Sequence, residues 1–412
     1  MLFVNSKFFA VDDLERIRRH VADMIPHQQM MHRITAICLK DPPEIMSVLR
    51  QVIFCHGSVL LINGEMPRGQ ALKLAQEAGS TALLYGSLSE PVQFLSDSTV
   101  IDTPSLLQFS SGTTGTPKII RRSWQQVERE IANYNARLSS NSSEVPIILV
   151  PVSHSFGLIT GVLAALERKA QPVIVTDKNP KFAAHVIQST RESIVYGVPY
   201  LFHILLSVMR NERAFHKIIS SGAPFTGKVF DTVKARSELV IQQYGCSELG
   251  CISLGFDPAT HADVGTPLQH LEVTVDGHAE SPDEIIVMMD GSPVFTRDLG
   301  WINSAGRIQV EGRIDDLINV SGQKVIPYEV EQVLLGMEEI QEVVVYRTKH
   351  KVWGEAVKAM IVGTSSLSSE LAKQWCIEHL PQYKIPSAFD IVEEIPRAAS
   401  GKISRKWLSE NY

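Results

Sequence analysis

The sequence has no Cys-x-x-Cys pair; its five cysteines, Cys38, Cys55, Cys246, Cys251 and Cys376, form an odd, scattered set. That arrangement excludes a disulfide framework and a zinc site, and makes a reducing cytoplasm the expected setting. Long apolar runs are missing too. No stretch reaches the roughly 18 apolar residues of a membrane span, so no membrane span is expected. The first twenty residues carry Lys7 and charges from Asp12 onward, and lack the apolar core of a signal peptide. Positive charge is not in excess: 39 Lys and Arg stand against 45 Asp and Glu, a net charge of -6 that argues against a nucleic-acid partner. Neither internal repeats nor low-complexity tracts occur.

What remains is ordinary globular material, 44% apolar and 20% charged, in a 412-residue chain long enough for more than one domain. Within residues 1–50 only a helix over Asp12–Met24 is readable. Short apolar runs then alternate with helical patterns. Strands are expected at Ser58–Ile62, Thr81–Tyr85, Ile147–Val150, Pro172–Thr176, Ile194–Tyr196, Lys217–Ser220 and Leu239–Gln242. Helices fall between them at Gly69–Glu77, Phe156–Leu166, after Pro199 and at Gly227–Lys234. This rhythm indicates βαβ units, a doubly wound α/β fold and ligand sites at the carboxyl ends of the strands. From about 284 the texture becomes hairpin-like. After Arg313 follow a helix at Tyr328–Leu335, strands at Glu342–Arg347 and Val357–Val362, a helix at Ser368–His379 and a basic tail. The expected division is a large N-terminal α/β domain over 1–312, with a small β-hairpin-rich section, and a small α+β C-terminal domain over 313–412.

The strongest local signal is Gln108-Phe-Ser-Ser-Gly-Thr-Thr-Gly-Thr-Pro-Lys118, directly after the apolar pair Leu106-Leu107. Gly112 and Gly115 let backbone amides approach an anion. Ser110, Ser111, Thr113, Thr114 and Thr116 supply hydroxyl donors, and Lys118 adds a positive charge. No Gly-Lys pair in the chain is followed by Ser or Thr, so this is not the Walker loop. Ser123 and Gln126 form a capping box for the helix that follows. Arg121 and Arg122 read as solvent-exposed charges, and Cys246 and Cys251 as small packed groups.

Ser-Ser-Gly-Thr-Thr-Gly-Thr-Pro-Lys resembles the phosphate-binding loop of the adenylate-forming superfamily, which includes acyl-CoA synthetases, luciferases and peptide-synthetase adenylation domains. Further matches follow in the family's order over residues 105 to 408. Ser221-Gly-Ala-Pro224 resembles the adenine-side turn, and Tyr244-Gly-Cys-Ser-Glu248 the Tyr-Gly-x-Thr-Glu motif. Val264-Gly-Thr-Pro267 is a further signature. Thr296-Arg-Asp-Leu-Gly300 resembles the Thr-Gly-Asp segment, with Arg297 where the family has Gly. Gly312-Arg-Ile-Asp-Asp316 and Ser321-Gly-Gln-Lys-Val-Ile-Pro-Tyr-Glu329 resemble the segment that joins the family's two domains, and Pro396-Arg-Ala-Ala-Ser-Gly-Lys402 its terminal lysine motif.

The resemblance implies an ATP-dependent carboxylic acid–thiol ligase working through an acyl-adenylate. It implies that Glu248 holds Mg²⁺ and that Asp298 accepts from the ribose hydroxyls. Arg313 would assist at ribose or phosphates. Gly222, Ala223, Pro224, Tyr244, Gly245 and Ser247 would line the nucleotide, with Gly222 and Gly245 also bordering the acyl pocket. Thr113, Glu248 and Lys402 would be catalytic, Lys402 reaching the carboxylate and α-phosphate. Asp315 would be the hinge, and Gly322 would lie on the thiol-side loop. His154 corresponds to the acyl-pocket position, and the following residue, an Asp in amino-acid-activating relatives, is Ser155. An uncharged serine points to an aryl or fatty acid. The acyl acceptor is CoA or a carrier-protein phosphopantetheine, and the chain is expected as a monomer or homodimer. Relatives carry more sequence before the phosphate loop, so the first part of the domain is shortened here. Two alternatives stay open: an adenylating enzyme dedicated to a carrier protein, and a non-catalytic nucleotide-binding relative.

Overall fold

Continuous apolar runs become strands buried on both faces, as a sheet covered by helices requires. All six residues of Ile34–Leu39 and all four of Ser58–Leu61 are buried. The structure is a computed structural model describing residues 1–96, 99–109, 118–210, 213–225, 227–350, 354–397 and 403–412. The described chain divides into two compact units. One holds Met1–Gly222, Arg236–Leu254 and Leu268–His270; the other holds Ala223–Ala235, Gly255–Pro267 and Leu271–Tyr412.

The first unit is built on parallel pairing. One sheet runs Gln93–Phe94, Ala82–Gly86, Ile34–Leu39, Ser58–Leu61, Ser105–Phe109, Ile119–Ser123. Its inner neighbours are parallel and its two outer strands antiparallel. The other takes in Ser237–Cys246, Phe215–Ser220, Ser193–Gly197, Val145–Ile148, Val173–Ile174 and Leu2–Val4, all parallel, closed by the antiparallel edge Lys7–Phe9. Helices Pro42–Phe54, Arg68–Glu77, Trp124–Leu138, Pro180–Ser189 and Pro199–Val208 form the connections. Three of these five begin with proline in the first turn, where a missing N–H costs nothing.

The second unit is mainly antiparallel. Glu272–Thr274, Asp283–Met289, Ser292–Ile302, Ile308–Arg313 and Asp263–Pro267 pair in that order. A further sheet pairs Gln323–Val325, Ile318–Val320, Gly354–Gly363 and Ile340–His350, with Ala388–Ile391 parallel to Gly354–Gly363. Helices Pro327–Leu335 and Ser369–His379 pack on a core that includes Val330, Leu334, Val345, Ala359 and Cys376. The fold is thus α/β, with wound sheets, a hairpin-rich section and a smaller α+β part, as the sequence pattern indicates. Among the described residues no helix is long and apolar enough to cross a membrane.

Three local readings change. The N-terminal 50 residues are richly structured, with an edge hairpin, the buried strand Ile34–Leu39 and the helix Pro42–Phe54. The apolar stretch read as one helix from Phe156 begins as a π-helix, Phe156–Leu163, and continues as Ala164–Glu167. Arg122 is no exposed charge: it is 2% exposed, while Arg121 is exposed. The cause lies in strand alternation, which turns Arg122 inward onto the equally buried Glu130 of the next helix.

Candidate active site

Strands Ser105–Phe109 and Ile119–Ser123 lie antiparallel, with Phe109 opposite Ile119, and the hydroxyl-rich loop connects them. Ser110, Ser111, Gly112, Thr113, Thr114, Gly115 and Thr116 lie outside the described residues, as does Lys402; Lys118 is exposed at the start of the return strand. The capping box forms as expected. The Ser123 hydroxyl accepts from Gln126 N at 3.2 Å, and Ser123 N donates to the Gln126 side chain at 3.0 Å. Helix Trp124–Leu138 therefore starts at a fixed place beyond the loop.

That helix is tied to the Glu248 turn. Arg122 Nη2 lies 2.6 Å from the Glu130 carboxylate, and Glu130 also accepts from Cys251 N at 2.7 Å. Gly250 sits at φ +76°, and a Cβ there would meet Glu130 Oε2 at 2.3 Å, so glycine is required at this close approach. Gly245 is constrained likewise, its Cβ position 2.1 Å from the Gly250 carbonyl. Tyr244 is buried at the end of strand Ser237–Cys246, Ser247 is half-buried, and Glu248 is exposed. Glu248 makes no hydrogen bond or ion pair among the described residues, and no group of three or more His, Cys, Asp or Glu there forms a metal cluster. A lone, solvated carboxylate suits a hard cation that takes its other ligands from phosphate and water.

At the end of strand Phe215–Ser220, Ser221 N donates to the Gly197 carbonyl at 3.3 Å, and Gly222 takes φ +87°. Ala223 and Pro224 are exposed. Residues 151–154 turn into the helix that follows: His154 N donates to the Pro151 carbonyl at 3.2 Å, and Leu158 N to the His154 carbonyl at 2.9 Å at the helix start. Gly157 packs so closely that a Cβ would stand 2.4 Å from the Pro151 oxygen. His154 is exposed and Ser155 half-buried. Gln108, which sequence reasoning passed over, bonds this turn on both sides of His154, to the Ser153 carbonyl and the Ser155 hydroxyl. Its place two residues before the hydroxyl-rich loop was the available signal.

In the second unit, Asp298 and Arg313 occupy opposed ladder positions with Arg313 Nε 3.3 Å from the carboxylate. Thr296 Oγ1 accepts from Asp298 N at 3.1 Å and donates to the Ile285 carbonyl at 2.7 Å, fixing the turn beside the acid. Arg297, in the place of the family glycine, adopts φ +64°. Its N–H donates to Glu284 at 2.8 Å and its guanidinium to Asp315 at 2.8 Å. Asp315 thus has a specific partner. Ser321 and Gly322, both at positive φ (51° and 89°), turn the hairpin between Ile318–Val320 and Gln323–Val325. Gly322 N donates to Asn319 at 2.8 Å. In the C-terminal segment, Arg397 pairs with Glu342, and Arg405 bonds Asp316 at 3.0 Å and Glu331 at 2.8 Å.

Free cysteines complete the picture: Cys251 is buried, with its thiol pushed well up by burial, and Cys246 is half-buried. Among the described residues neither belongs to a group of three or more His, Cys, Asp or Glu.

Residues 42–284 match the AMP-binding enzyme family, and residues 329–402 match the AMP-binding enzyme C-terminal domain. The chain belongs to the AMP-binding enzyme family, and it is an adenylating acid–thiol ligase. It is 42% identical over 408 residues to a 3,4-dihydroxybenzoate–[aryl-carrier protein] ligase of Bacillus anthracis, covering 99% of this chain and 98% of that protein. A 2-succinylbenzoate–CoA ligase of Bacillus velezensis is 28% identical, over 91% of this chain and 87% of its own. Among solved structures, ATP-bound MatB from Rhodopseudomonas palustris superposes with TM-score 0.86 at 18% identity, covering 100% and 95% of the two chains. The o-succinylbenzoate CoA synthetase of Bacillus subtilis with its acyl-adenylate gives 0.83 at 21%, covering 99% and 94%.

Proposed function

We propose that this ligase activates an aryl acid of the dihydroxybenzoate type and delivers it to the phosphopantetheine thiol of a carrier protein in the cytoplasm. The observation that carries this reading is the 42% identity, over 99% of the chain, to a ligase of that specificity. Ser155 agrees with it, offering no charge to an α-ammonium group. In the first step the acid's carboxylate attacks the α-phosphorus of ATP, and pyrophosphate leaves. In the second the thiol sulfur attacks the acyl carbon, its proton is lost, and AMP leaves.

The residues divide accordingly. Loop 110–118 holds the phosphates through backbone amides and hydroxyls. Asp298 accepts from the ribose hydroxyls, and Arg313 keeps that carboxylate oriented while adding positive charge. Gly222, Ala223, Pro224, Tyr244, Gly245 and Ser247 border the base and acyl group. Glu248 is the group that would hold Mg²⁺, which neutralises phosphate charge when bound. Lys402 stabilises charge on the reacting carboxylate and α-phosphate, an effect commonly worth about 3 kcal/mol for one such donor. Residues 313–412 act as the mobile domain, hinged near Asp315, with Gly322 on the thiol side.

The deciding measurement is ATP–pyrophosphate exchange over a panel of aryl and fatty acids, followed by acyl transfer to holo carrier protein and to CoA. Exchange with dihydroxybenzoates and transfer to the carrier are expected. Preference for a fatty acid, or faster transfer to CoA, would refute the assignment.

A further inference from the structure

Gln108 is 8% exposed, one residue from the end of strand Ser105–Phe109. Its amide spans the turn that presents His154. Nε2 donates to the Ser153 carbonyl at 3.2 Å, and Oε1 accepts from the Ser155 hydroxyl. Donor and acceptor chemistry permits one arrangement only. A carbonyl cannot donate, so the amide nitrogen faces Ser153; the amide oxygen then faces Ser155, whose hydroxyl must donate to it. Gln108 itself is held in register with Leu61 on one side and Ile120 on the other. The same strand runs on into loop 110–118.

We propose that Gln108 is a positioning residue for acid activation. Through its two hydrogen bonds it sets the His154–Ser155 segment against the strand that delivers the phosphate loop, so that acid and α-phosphate are brought into register. Because the Ser155 proton is committed to Gln108, Ser155 turns only lone pairs outward, and an acid carrying a hydroxyl donor fits that wall better than one without. This rests on the reading of 153–155 as part of the acyl pocket.

The test is steady-state ATP–pyrophosphate exchange by the full chain with 3,4-dihydroxybenzoate, for wild type, Gln108→Met and Ser155→Ala, each with its melting temperature. Gln108→Met, which keeps the side-chain length and removes both bonds, is expected to raise KM for the acid about tenfold and KM for ATP by less than about twofold. Ser155→Ala removes one bond at a half-exposed position and is expected to raise the acid KM about threefold. A rise of both KM values together, or of neither, would overturn the proposal. Should Gln108→Met fail to fold, the same split in Ser155→Ala decides. Wild type lacking exchange with every benzoate tried would overturn the aryl-acid reading and this proposal with it. Wild-type exchange with unmoved variants overturns the positioning role alone.

Discussion

Asp298 and Arg313 face each other across two antiparallel strands, with the arginine Nε 3.3 Å from a carboxylate that is largely buried. A charged acceptor makes hydrogen bonds roughly twice as strong as a neutral one. Asp298→Asn keeps the shape and removes the charge, and should raise KM for ATP about tenfold in pyrophosphate exchange. Lys402→Ala should do the opposite: kcat falls on the order of a hundredfold while KM for ATP moves less than about threefold. Equal effects of the two substitutions on KM would mean their roles are misassigned.

Arg297 stands in the left-handed region at φ +64°, where a side chain costs about 1–2 kcal/mol. Its ion pair with Asp315 is largely solvated and offsets at most about 1 kcal/mol. Arg297→Gly should therefore be at least as stable as wild type, and Arg297→Ala less stable than Arg297→Gly by about 1 kcal/mol. Urea denaturation of the three proteins checks the order; an alanine variant matching the glycine variant would show that the backbone is unstrained here.

The Arg122–Glu130 pair is buried on both sides, at 2% and 1% exposure. Removing one partner strands the other charge in the interior. Glu130→Ala should cost about 3–5 kcal/mol, and Arg122→Met with Glu130→Met together should cost less than the sum of the single changes. A double-mutant cycle by chemical denaturation measures this, and strict additivity would sink the claim of coupling.

His261 is packed between Phe230 and Tyr328, ring centroids 6.5 and 5.5 Å away. Burial holds its pKa below 6.5, with Asp231 opposing part of the shift. The unfolded chain thus takes up the proton first as the pH falls. Its contribution to stability is whole above about pH 6.5 and declines below it, until the folded pKa is passed. His261→Gln should flatten the loss of denaturation midpoint between about pH 7.5 and 5.5. A midpoint loss as steep as wild type's would remove His261 from the explanation.

The sequence by itself determined the family, the order of its motifs and most elements beyond residue 50. Those signals are local: glycines and hydroxyls in a loop, apolar runs bounded by turns, a capping Ser123 with its Gln126 partner. Even the aspartate and arginine that pair across the ladder were nameable as Asp298 and Arg313. Tertiary structure alone decided what depends on side chains meeting from distant parts of the chain. It turned Arg122 inward to Glu130, closed Gly250 against that carboxylate, set Gln108 across the His154 turn and gave Asp315 its partner in Arg297. It also resolved the first 50 residues, whose buried strand Ile34–Leu39 is sandwiched between Ser58–Leu61 and Ala82–Gly86. A six-residue apolar run has no periodicity to separate strand from helix until its neighbours supply the hydrogen bonds.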